Sequence, residues 1–306
     1  MTRAAKLPMK LRLPGRVIWT VVAFGSLAAV GLSHWLNHVP ADDSERADFI
    51  RRYQGGSLVI AGGGPLPAEI RQRFLDLAGG SGRARLVVIP AFDATDAQQE
   101  SLKEFWRGLG VTNVQILNAN SRDQANLDSF SVSLDQATGV WLSGGVQAWL
   151  SEKYAGTVVE EKLRAVVARG GVVGGSSAGA AVMTKIMIEQ GQEEAVEGVG
   201  FDLFPDAVID QHFLRRSRVN RLVGLMESHP DLTAFGIDEG TALVVQVSKG
   251  RLGVIGASYV LAYVPTTSKG EPRFEILKHG DQIEMSGLKT GVRVSSPLDF
   301  NNLVSD

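Results

Sequence analysis

The chain of 306 residues contains no cysteine. This absence excludes disulfide frameworks, thiolate metal sites and cysteine nucleophiles together. Proline is scarce as well, with 11 residues, while hydrophobic residues make up 44% of the chain. There is no internal repeat or low-complexity tract. The composition is therefore that of a globular protein with an ample core, and the length suits one large domain with or without appendages.

Acidic residues outnumber basic ones over most of the chain. Residues 1–16 hold five basic side chains and no acidic one, which leaves 26 basic against 33 acidic residues for the remainder. No basic patch follows the first segment. We therefore expect no nucleic-acid partner.

An uncharged apolar run, residues 17–32, directly follows the basic segment. This order is typical of an export signal or a membrane anchor, whereas a core helix would carry a polar face. Val39-Pro40-Ala41 fits a cleavage site; if it is uncut, the run extended to Leu36 reaches about the 20 residues that span a bilayer. We predict a signal peptide or membrane anchor over residues 1–41, a linker over 42–56 and a folded domain over 57–306.

From residue 57 onward, short apolar segments alternate with segments of helical periodicity. The predicted strands are 57–61, 85–90, 114–117, 139–142 and 172–174, and the predicted helices are 66–78, 97–109, 145–154 and 158–168. Near-continuous apolar strands alternating with helices predict a mostly parallel, doubly wound α/β sheet of the flavodoxin-like type. Strand-like segments after residue 240 predict a C-terminal β-rich extension. In such a sheet the functional site lies beyond the carboxyl ends of the strands.

A run of three glycines, Gly62-Gly63-Gly64, follows the first predicted strand. The run lacks the G-x-G-x-x-G spacing of dinucleotide-binding loops, and Pro65 removes a backbone N–H that a phosphate would need. We therefore expect no nucleotide at this edge, and we predict neither a cofactor nor a metal ion for the protein.

The strongest local signal is the stretch from residue 171 to residue 182. Gly175-Ser176-Ser177-Ala178-Gly179 fits G-x-S-x-G, in which a strained strand-to-helix turn exposes a nucleophilic serine. The two glycines let the strand and helix backbones approach closely. We expect a helix over 178–187 after this turn. The alternative is a βα turn that only connects two elements or holds a phosphate.

Histidine is scarce, which narrows the choice of a general base. Two of the five histidines lie in the leader, and the others are His212, His229 and His279. His212 ends a short apolar strand and is followed by four arginines: Arg215, Arg216, Arg218 and Arg221. A histidine at a strand end is often structural, and the arginines could form a solvated helix face. Their spacing does not fit one helical stripe, however, so part of the cluster is predicted to line a pocket rim.

The chain resembles the cyanophycinases and the related α-aspartyl dipeptidases, which are serine peptidases on a class I amidotransferase-like α/β fold. The resemblance extends from about residue 57 to residue 245. It is carried by five motifs, which are residues 60–64, 142–147, 175–180, 210–221 and 236–242. In this order and spacing they are quite specific. One departure is that the family's usual Gly-Gly-Asp-Gln is Gly144-Gly145-Val146-Gln147 here.

The resemblance implies roles for individual residues. Ser177 is the implied nucleophile and His212 the implied base. A glutamate between them is implied as the third member of the triad, and the candidates are Glu193 and Glu194, followed by Glu189 and Glu197. The implied oxyanion hole consists of Gly144, Gly145 and Ala178. The implied substrate contacts come from Gln147, Asp210, Gln211, Arg216, Arg218 and Arg221.

We expect an exported or membrane-tethered serine peptidase that hydrolyses cyanophycin to β-aspartyl-arginine dipeptides. Arginines beside the base favour a substrate with carboxylates, because guanidinium groups bind these in a bidentate manner. A hydrolase of other aspartyl peptides and a catalytically silent relative that binds acidic peptides are the alternatives. The expected partner is a peptide or isopeptide substrate; a membrane anchor and a homodimer are left open.

Overall fold

The structure, a computed structural model, describes residues 55–264 and 273–285 of the chain. The predicted leader, residues 1–41, lies outside these residues. Within the two described ranges, no helix has the length and the apolar character needed to cross a membrane.

The described residues form strands in three sheets. The strands are β1 Ser57–Ala61, β2 Arg85–Ala91, β3 Asn113–Ile116, β4 Gly139–Gly145, β5 Val172–Ser176, β6 Ile186–Gln190, β7 Val196–Val199, β8 Ala207–Gln211, β9 Thr233–Ile237, β10 Thr241–Gln246, β11 Arg251–Gly256, β12 Tyr259–Val264, β13 Arg273–Lys278 and β14 Gln282–Glu284. The α-helices of the same residues are α1 Ala68–Leu77, α2 Asp96–Gly108, α3 Arg122–Ala125, α4 Gln147–Tyr154, α5 Val158–Ala168, α6 Ala178–Ala181 and α7 Val219–Ser228.

The first sheet has eight strands in the order β14-β11-β10-β1-β5-β4-β2-β3. The five strands from β1 to β3 in that order run parallel to one another. On the other side of β1, the strands β10, β11 and β14 extend the sheet in antiparallel fashion. The mostly parallel sheet and the C-terminal β extension expected from the sequence are confirmed.

Helices cover both faces of the first sheet. Val59 and Ala61 of β1 lie in one core together with residues of α1 and α2, whereas Leu58 and Ile60 lie in a second core with residues of α4, α5 and α6. Successive residues of a strand point to opposite faces, so a sheet buried on both sides requires apolar residues throughout. This explains why the inner parallel strands have nearly continuous apolar sequences, whereas the edge strand β3 also carries polar residues.

Local sequence signals set the ends of the helices. A capping box precedes α2, in which the Thr95 side chain accepts from the Gln98 amide and the Thr95 N–H donates to the Gln98 side chain at 2.9 Å. At the end of α1, Gly79 adopts a φ of 98°, and the Gly80 N–H donates to the Leu75 carbonyl at 2.8 Å. Glycine is suited to this left-handed helix end because it has no Cβ.

A second sheet has the order β13-β12-β9-β8. Strands β8 and β9 are parallel, and β12 and β13 continue the sheet in antiparallel fashion. Residues 238–240 connect β9 to β10, so within three residues the chain passes from the second sheet to the first. The carboxyl ends of β8 and β9 therefore lie beside the end of β1.

The helix expected over residues 178–187 is wrong in its length, because α6 ends at Ala181. The carbonyl oxygens of Val182 and Met183 accept hydrogen bonds from the amides of Phe201 and Leu203, so they do not continue a helical ladder. The residues that follow form the antiparallel hairpin of β6 and β7 instead.

Candidate active site

Ser177 lies between β5 and α6, with a φ of 54° and a ψ of −110°. This conformation is unfavourable for a residue with a side chain, and it marks a strained turn. The Ser177 N–H donates to the carbonyl oxygen of Ala61 at 3.0 Å, which ties the turn to the end of β1. A Cβ at Gly175 would lie 2.5 Å from the carbonyl oxygen of Gly179, and a Cβ at Gly179 would collide with the Leu142 carbonyl. The elbow thus depends on both glycines.

His212 directly follows β8 and also has a positive φ, of 50°. Its backbone N–H donates to the carbonyl oxygen of Gly62 at 2.7 Å. Its side-chain Nε2 lies 2.8 Å from the Oγ of Ser177, which is hydrogen-bonding distance. The structure thus brings together the serine and the histidine that were selected from the sequence.

The carboxylate beside the histidine belongs to Glu239, whose Oε1 lies 2.6 Å from His212 Nδ1. With Nδ1 carrying the proton toward this carboxylate, Nε2 is left to accept a proton from Ser177. Glu239 lies in the connection between β9 and β10. Because β8 and β9 are parallel neighbours, the residues after their carboxyl ends meet at one edge.

The expectation that Glu193 or Glu194 holds the histidine does not match this geometry. Both glutamates are exposed and lie in the turn between β6 and β7. The available signal for Glu239 was its position in the Gly236–Ala242 motif, to which the sequence analysis assigned no role. The family resemblance had implied a glutamate between Ser177 and His212 in the chain, whereas the strand pairing of β8 with β9 decides which carboxylate reaches the imidazole.

The glycine run after β1 makes room for the base and its carboxylate. Gly63 has a φ of 104°, and a Cβ there would lie 2.5 Å from the Cε1 of the His212 ring. At Gly64, with a φ of 67°, a Cβ would lie 2.7 Å from the Oε2 of Glu239. The Gly240 N–H donates to the Gly63 carbonyl at 2.9 Å. The spacing of these glycines had excluded only a dinucleotide-binding loop and had not predicted their contact with the base.

The surroundings of His212 favour its neutral form. Burial lowers the pKa of the imidazole below its ordinary value; the nearby positive charges of Arg216 and Arg218 lower it further, while Glu239 opposes them. The net direction is downward. A neutral imidazole is the form that can accept a proton from a hydroxyl group.

The three amides predicted as oxyanion donors lie at the same sheet edge as the serine. A Cβ at Gly144, near the end of β4, would lie 3.8 Å from the Cβ of Ser177. Gly144 and Gly145 are exposed. Ala178 is the first residue of α6, so its N–H has no acceptor within the helix.

Of the residues predicted to contact substrate, the two glutamines differ in their hydrogen bonding. The Gln147 side chain donates to the carbonyl oxygens of Ile188 and Glu189 in β6, at 3.3 and 2.5 Å. Gln211 is buried at the end of β8, and its Oε1 has no hydrogen-bond partner within the described part of the chain.

The predicted acidic and basic residues divide into a buried cluster and one exposed arginine. Arg221 holds the carboxylate of Asp210 in a bidentate manner, with its Nε 3.0 Å from Oδ2. Arg218 donates to the carbonyl oxygen of Gln211 at 2.6 Å and lies 3.5 Å from Asp210. These three charged residues are at most 6% exposed, and both arginines form ion pairs with Asp210. Arg216, in contrast, is exposed.

The fold and the site together define a class of α/β proteins. In this class a serine, a histidine and a carboxylate, each in contact with the next, lie beyond the C-terminal ends of the strands of a mostly parallel sheet. The model of peptidase family S51 matches residues 58–253, and the chain belongs to this family. The family resemblance inferred from the motifs is confirmed.

Individual relatives agree with this membership. A cyanophycinase of Synechococcus elongatus is 33% identical over 205 residues, which cover 64% of this chain and 63% of the relative. The chain thus spans slightly less than two thirds of that relative's length. A cyanophycinase of a Nostoc species is 33% identical over 242 residues, which cover 71% of this chain and 80% of the relative.

A solved structure shares the fold. The crystal structure of a peptidase from an acI-B1 Actinobacterium has a TM-score of 0.61 and 22% sequence identity to this chain. The alignment covers 75% of this chain and 97% of that structure. At this identity the likeness shows the fold alone.

Proposed function

We propose that the chain is a serine-type peptidase in which Ser177 is the nucleophile, His212 the general base and Glu239 the residue that orients the base. The proposal rests on the unbroken series of contacts from Ser177 Oγ to His212 Nε2, at 2.8 Å, and from His212 Nδ1 to Glu239, at 2.6 Å. The lowered pKa of His212 supports its role as a base.

In the proposed reaction, Ser177 Oγ attacks the carbonyl carbon of the scissile bond while His212 Nε2 takes the hydroxyl proton. The amides of Gly144, Gly145 and Ala178 donate to the oxyanion that forms. His212 returns the proton to the leaving amine, and the same base then activates the water that hydrolyses the acyl-enzyme. Glu239 stabilises the imidazolium form in each step.

We propose that the substrate is cyanophycin, cut to β-aspartyl-arginine dipeptides. Two relatives at 33% identity carry the name cyanophycinase, and the exposed Arg216 beside the base offers a guanidinium group to a substrate carboxylate. Val146 favours a second candidate, a hydrolase of other aspartyl peptides. This residue is 57% exposed, and in the Gly-Gly-Asp-Gln motif of the family that the sequence resembles this position is an aspartate, so this chain offers no acid there.

The test is labelling of the full chain with a fluorophosphonate, followed by hydrolysis assays. Wild type is expected to be labelled at Ser177, whereas a catalytically silent relative does not react there. Arginine-bearing and lysine-bearing aspartyl polymers and plain α-aspartyl peptides are then compared as substrates. Failure to cut the arginine polymer, with cleavage of another aspartyl substrate, would replace cyanophycin by the second candidate.

For location, we propose that the basic segment and the apolar run of residues 1–41 export or tether the protein. Deletion of these residues is expected to give a soluble protein with unchanged activity, because the residues of the site all lie beyond residue 57. Fractionation of the native host then separates a free from a membrane-bound protein. An inactive or insoluble truncation would contradict the proposed leader.

A further inference from the structure

The hairpin of β6 and β7, residues 186–199, contacts both sides of the candidate site. On one side it is hydrogen-bonded to α4, which begins two residues after the proposed oxyanion glycines. Gln147 donates to the carbonyl oxygens of Ile188 and Glu189, and Ser151 donates to the carbonyl oxygen of Val199. The hairpin is therefore fixed to α4, the helix that begins at Gln147, two residues after Gly145.

On the other side, the turn of the hairpin is bonded to the segment that carries the base. The buried Arg221 donates to the carbonyl oxygen of Gly191 while its other nitrogens hold Asp210, two residues before His212. The Gln192 side chain donates to the carbonyl oxygen of Arg216 at 2.8 Å. The Arg216 N–H in turn donates to the carbonyl oxygen of His212 at 3.0 Å.

The segment from His212 to Arg218 needs such support because it is conformationally strained. Both His212 and Ser217 have positive φ values, of 50° and 53°. Strained residues keep their conformation only when the surrounding structure holds them. Arg216 is exposed, so its own side chain does little to fix the position of this loop.

We propose that the hairpin of residues 186–199 is a bridge that positions the loop 212–218, and hence the guanidinium group of Arg216, relative to the oxyanion amides. In this arrangement Gln192 and Arg221 are positioning residues and not substrate ligands. The expected effect on catalysis rests on the proposed peptidase function, whereas the support of the loop 212–218 by the hairpin does not.

Gln192 is the better residue for a test. Arg221 and Asp210 form a buried ion pair, and removal of one partner would leave an uncompensated charge that can unfold the protein. Gln192 is exposed, and Gln192→Ala removes its hydrogen bond to the Arg216 carbonyl. Gln190→Ala in the same hairpin is the matched control, because this side chain is exposed and, among the described residues, forms a hydrogen bond only with its neighbour Glu189, at 3.4 Å.

The first measurement is amide hydrogen exchange on the full chain, which needs no substrate. In Gln192→Ala the amides of residues 212–218 are expected to exchange about two- to tenfold faster, which corresponds to the loss of one hydrogen bond. Gln190→Ala is expected to leave this exchange unchanged. Arg221→Lys, which keeps the charge but not the bidentate geometry, is expected to have the same direction of effect as Gln192→Ala.

The second measurement is kinetic. Gln192→Ala is expected to lower kcat/KM for an aspartyl peptide by about two- to tenfold while the rate of fluorophosphonate labelling stays constant. This loss should vanish in an Arg216→Ala background, because the two residues act through one contact.

Unchanged exchange of residues 212–218 in both Gln192→Ala and Arg221→Lys would overturn the bridge, whatever the enzyme cuts. A kinetic loss that persists in the Arg216→Ala background would overturn it as well. Faster exchange in a protein that cuts no peptide would instead overturn the proposed function and leave the bridge standing.

Discussion

The two larger sheets contribute to the site in different ways. The first sheet provides Ser177 and the glycines that we propose for the oxyanion hole, whose positions follow from backbone geometry near the ends of β4 and β5. The second sheet provides His212, and the connection that leaves it provides Glu239. These two residues are 27 positions apart in sequence and meet through strand pairing and side-chain hydrogen bonds. A local motif thus identifies the first half of the site, whereas in the second half the sequence pointed to His212 but not to Glu239.

The two halves share one support, the end of β1. The Ser177 N–H donates to the Ala61 carbonyl and the His212 N–H donates to the Gly62 carbonyl. Both of these residues have the positive φ of a strained backbone. Ser177 and His212 are thus hydrogen-bonded to two consecutive residues at the end of β1. These bonds fix the distance between the two residues, which suits a nucleophile and its base.

The largest effect is expected on the side of the first sheet. Ser177→Ala removes the proposed nucleophile without changing the core, and losses on the order of 10⁴-fold or more in kcat are usual for a triad serine. Ser176→Ala is the control and should cost far less. Steady-state hydrolysis of an aspartyl peptide measures both; a dead Ser176→Ala variant with an active Ser177→Ala variant would contradict the assignment of the elbow.

The second largest effect is expected for Glu239, the carboxylate that the structure places at His212, in comparison with the two glutamates predicted from the sequence. Glu239→Gln keeps the shape of the side chain but removes the charge that orients His212 Nδ1, and a loss on the order of 10³- to 10⁴-fold in kcat is expected. Glu193→Gln and Glu194→Gln are exposed controls and should stay near wild type. A large loss in either control, with an active Glu239→Gln, would restore the sequence-based assignment.

A smaller effect is expected where the two halves meet at the glycine run. Gly63→Ala places a Cβ against the His212 ring, and displacement of the base by about 1 Å can cost on the order of 10²-fold in activity. Gly80→Ala is the matched control, because Gly80 also has a positive φ, but a Cβ added there would have no atom of a non-neighbouring described residue within 4 Å. Equal activity losses in the two variants, measured alongside thermal stability, would show backbone strain and not displacement of the base.

Arg216→Ala tests whether the exposed arginine near His212 binds a carboxylate of the substrate. Loss of a charge-assisted hydrogen bond to a substrate carboxylate should lower kcat/KM for the aspartyl polymer by about ten- to a hundredfold. Acylation by a small activated ester should be spared, and Arg216→Lys should rescue only part of the loss. Equal losses on the ester and on the polymer would mean that Arg216 supports the structure of the site.

The smallest effect concerns pH. Because the pKa of His212 is lowered, kcat/KM should fall toward acid pH with a midpoint below the ordinary histidine value of 6.5, since a protonated imidazole cannot accept the serine proton. Arg216→Ala removes a charge that lowers this pKa, so the midpoint should move to higher pH. A pH profile of ester hydrolysis measures both, and a midpoint above 6.5 in wild type would contradict the direction of the shift.

The parallel strands, the doubly wound arrangement, the elbow serine and the choice of His212 could all be predicted from the sequence. These features depend on periodicity and on residue spacing within short segments, which a sequence displays directly. The structure was needed to show that the helix after Ser177 ends at Ala181, because the amides of Phe201 and Leu203 bind the carbonyl groups of the two residues that follow it. It alone showed that Asp210 and Arg221 bind each other, and that Glu239 and Gly63 lie at the imidazole. These contacts join residues far apart in sequence, and the pairing of β8 with β9 and the passage of the chain between the two sheets create them.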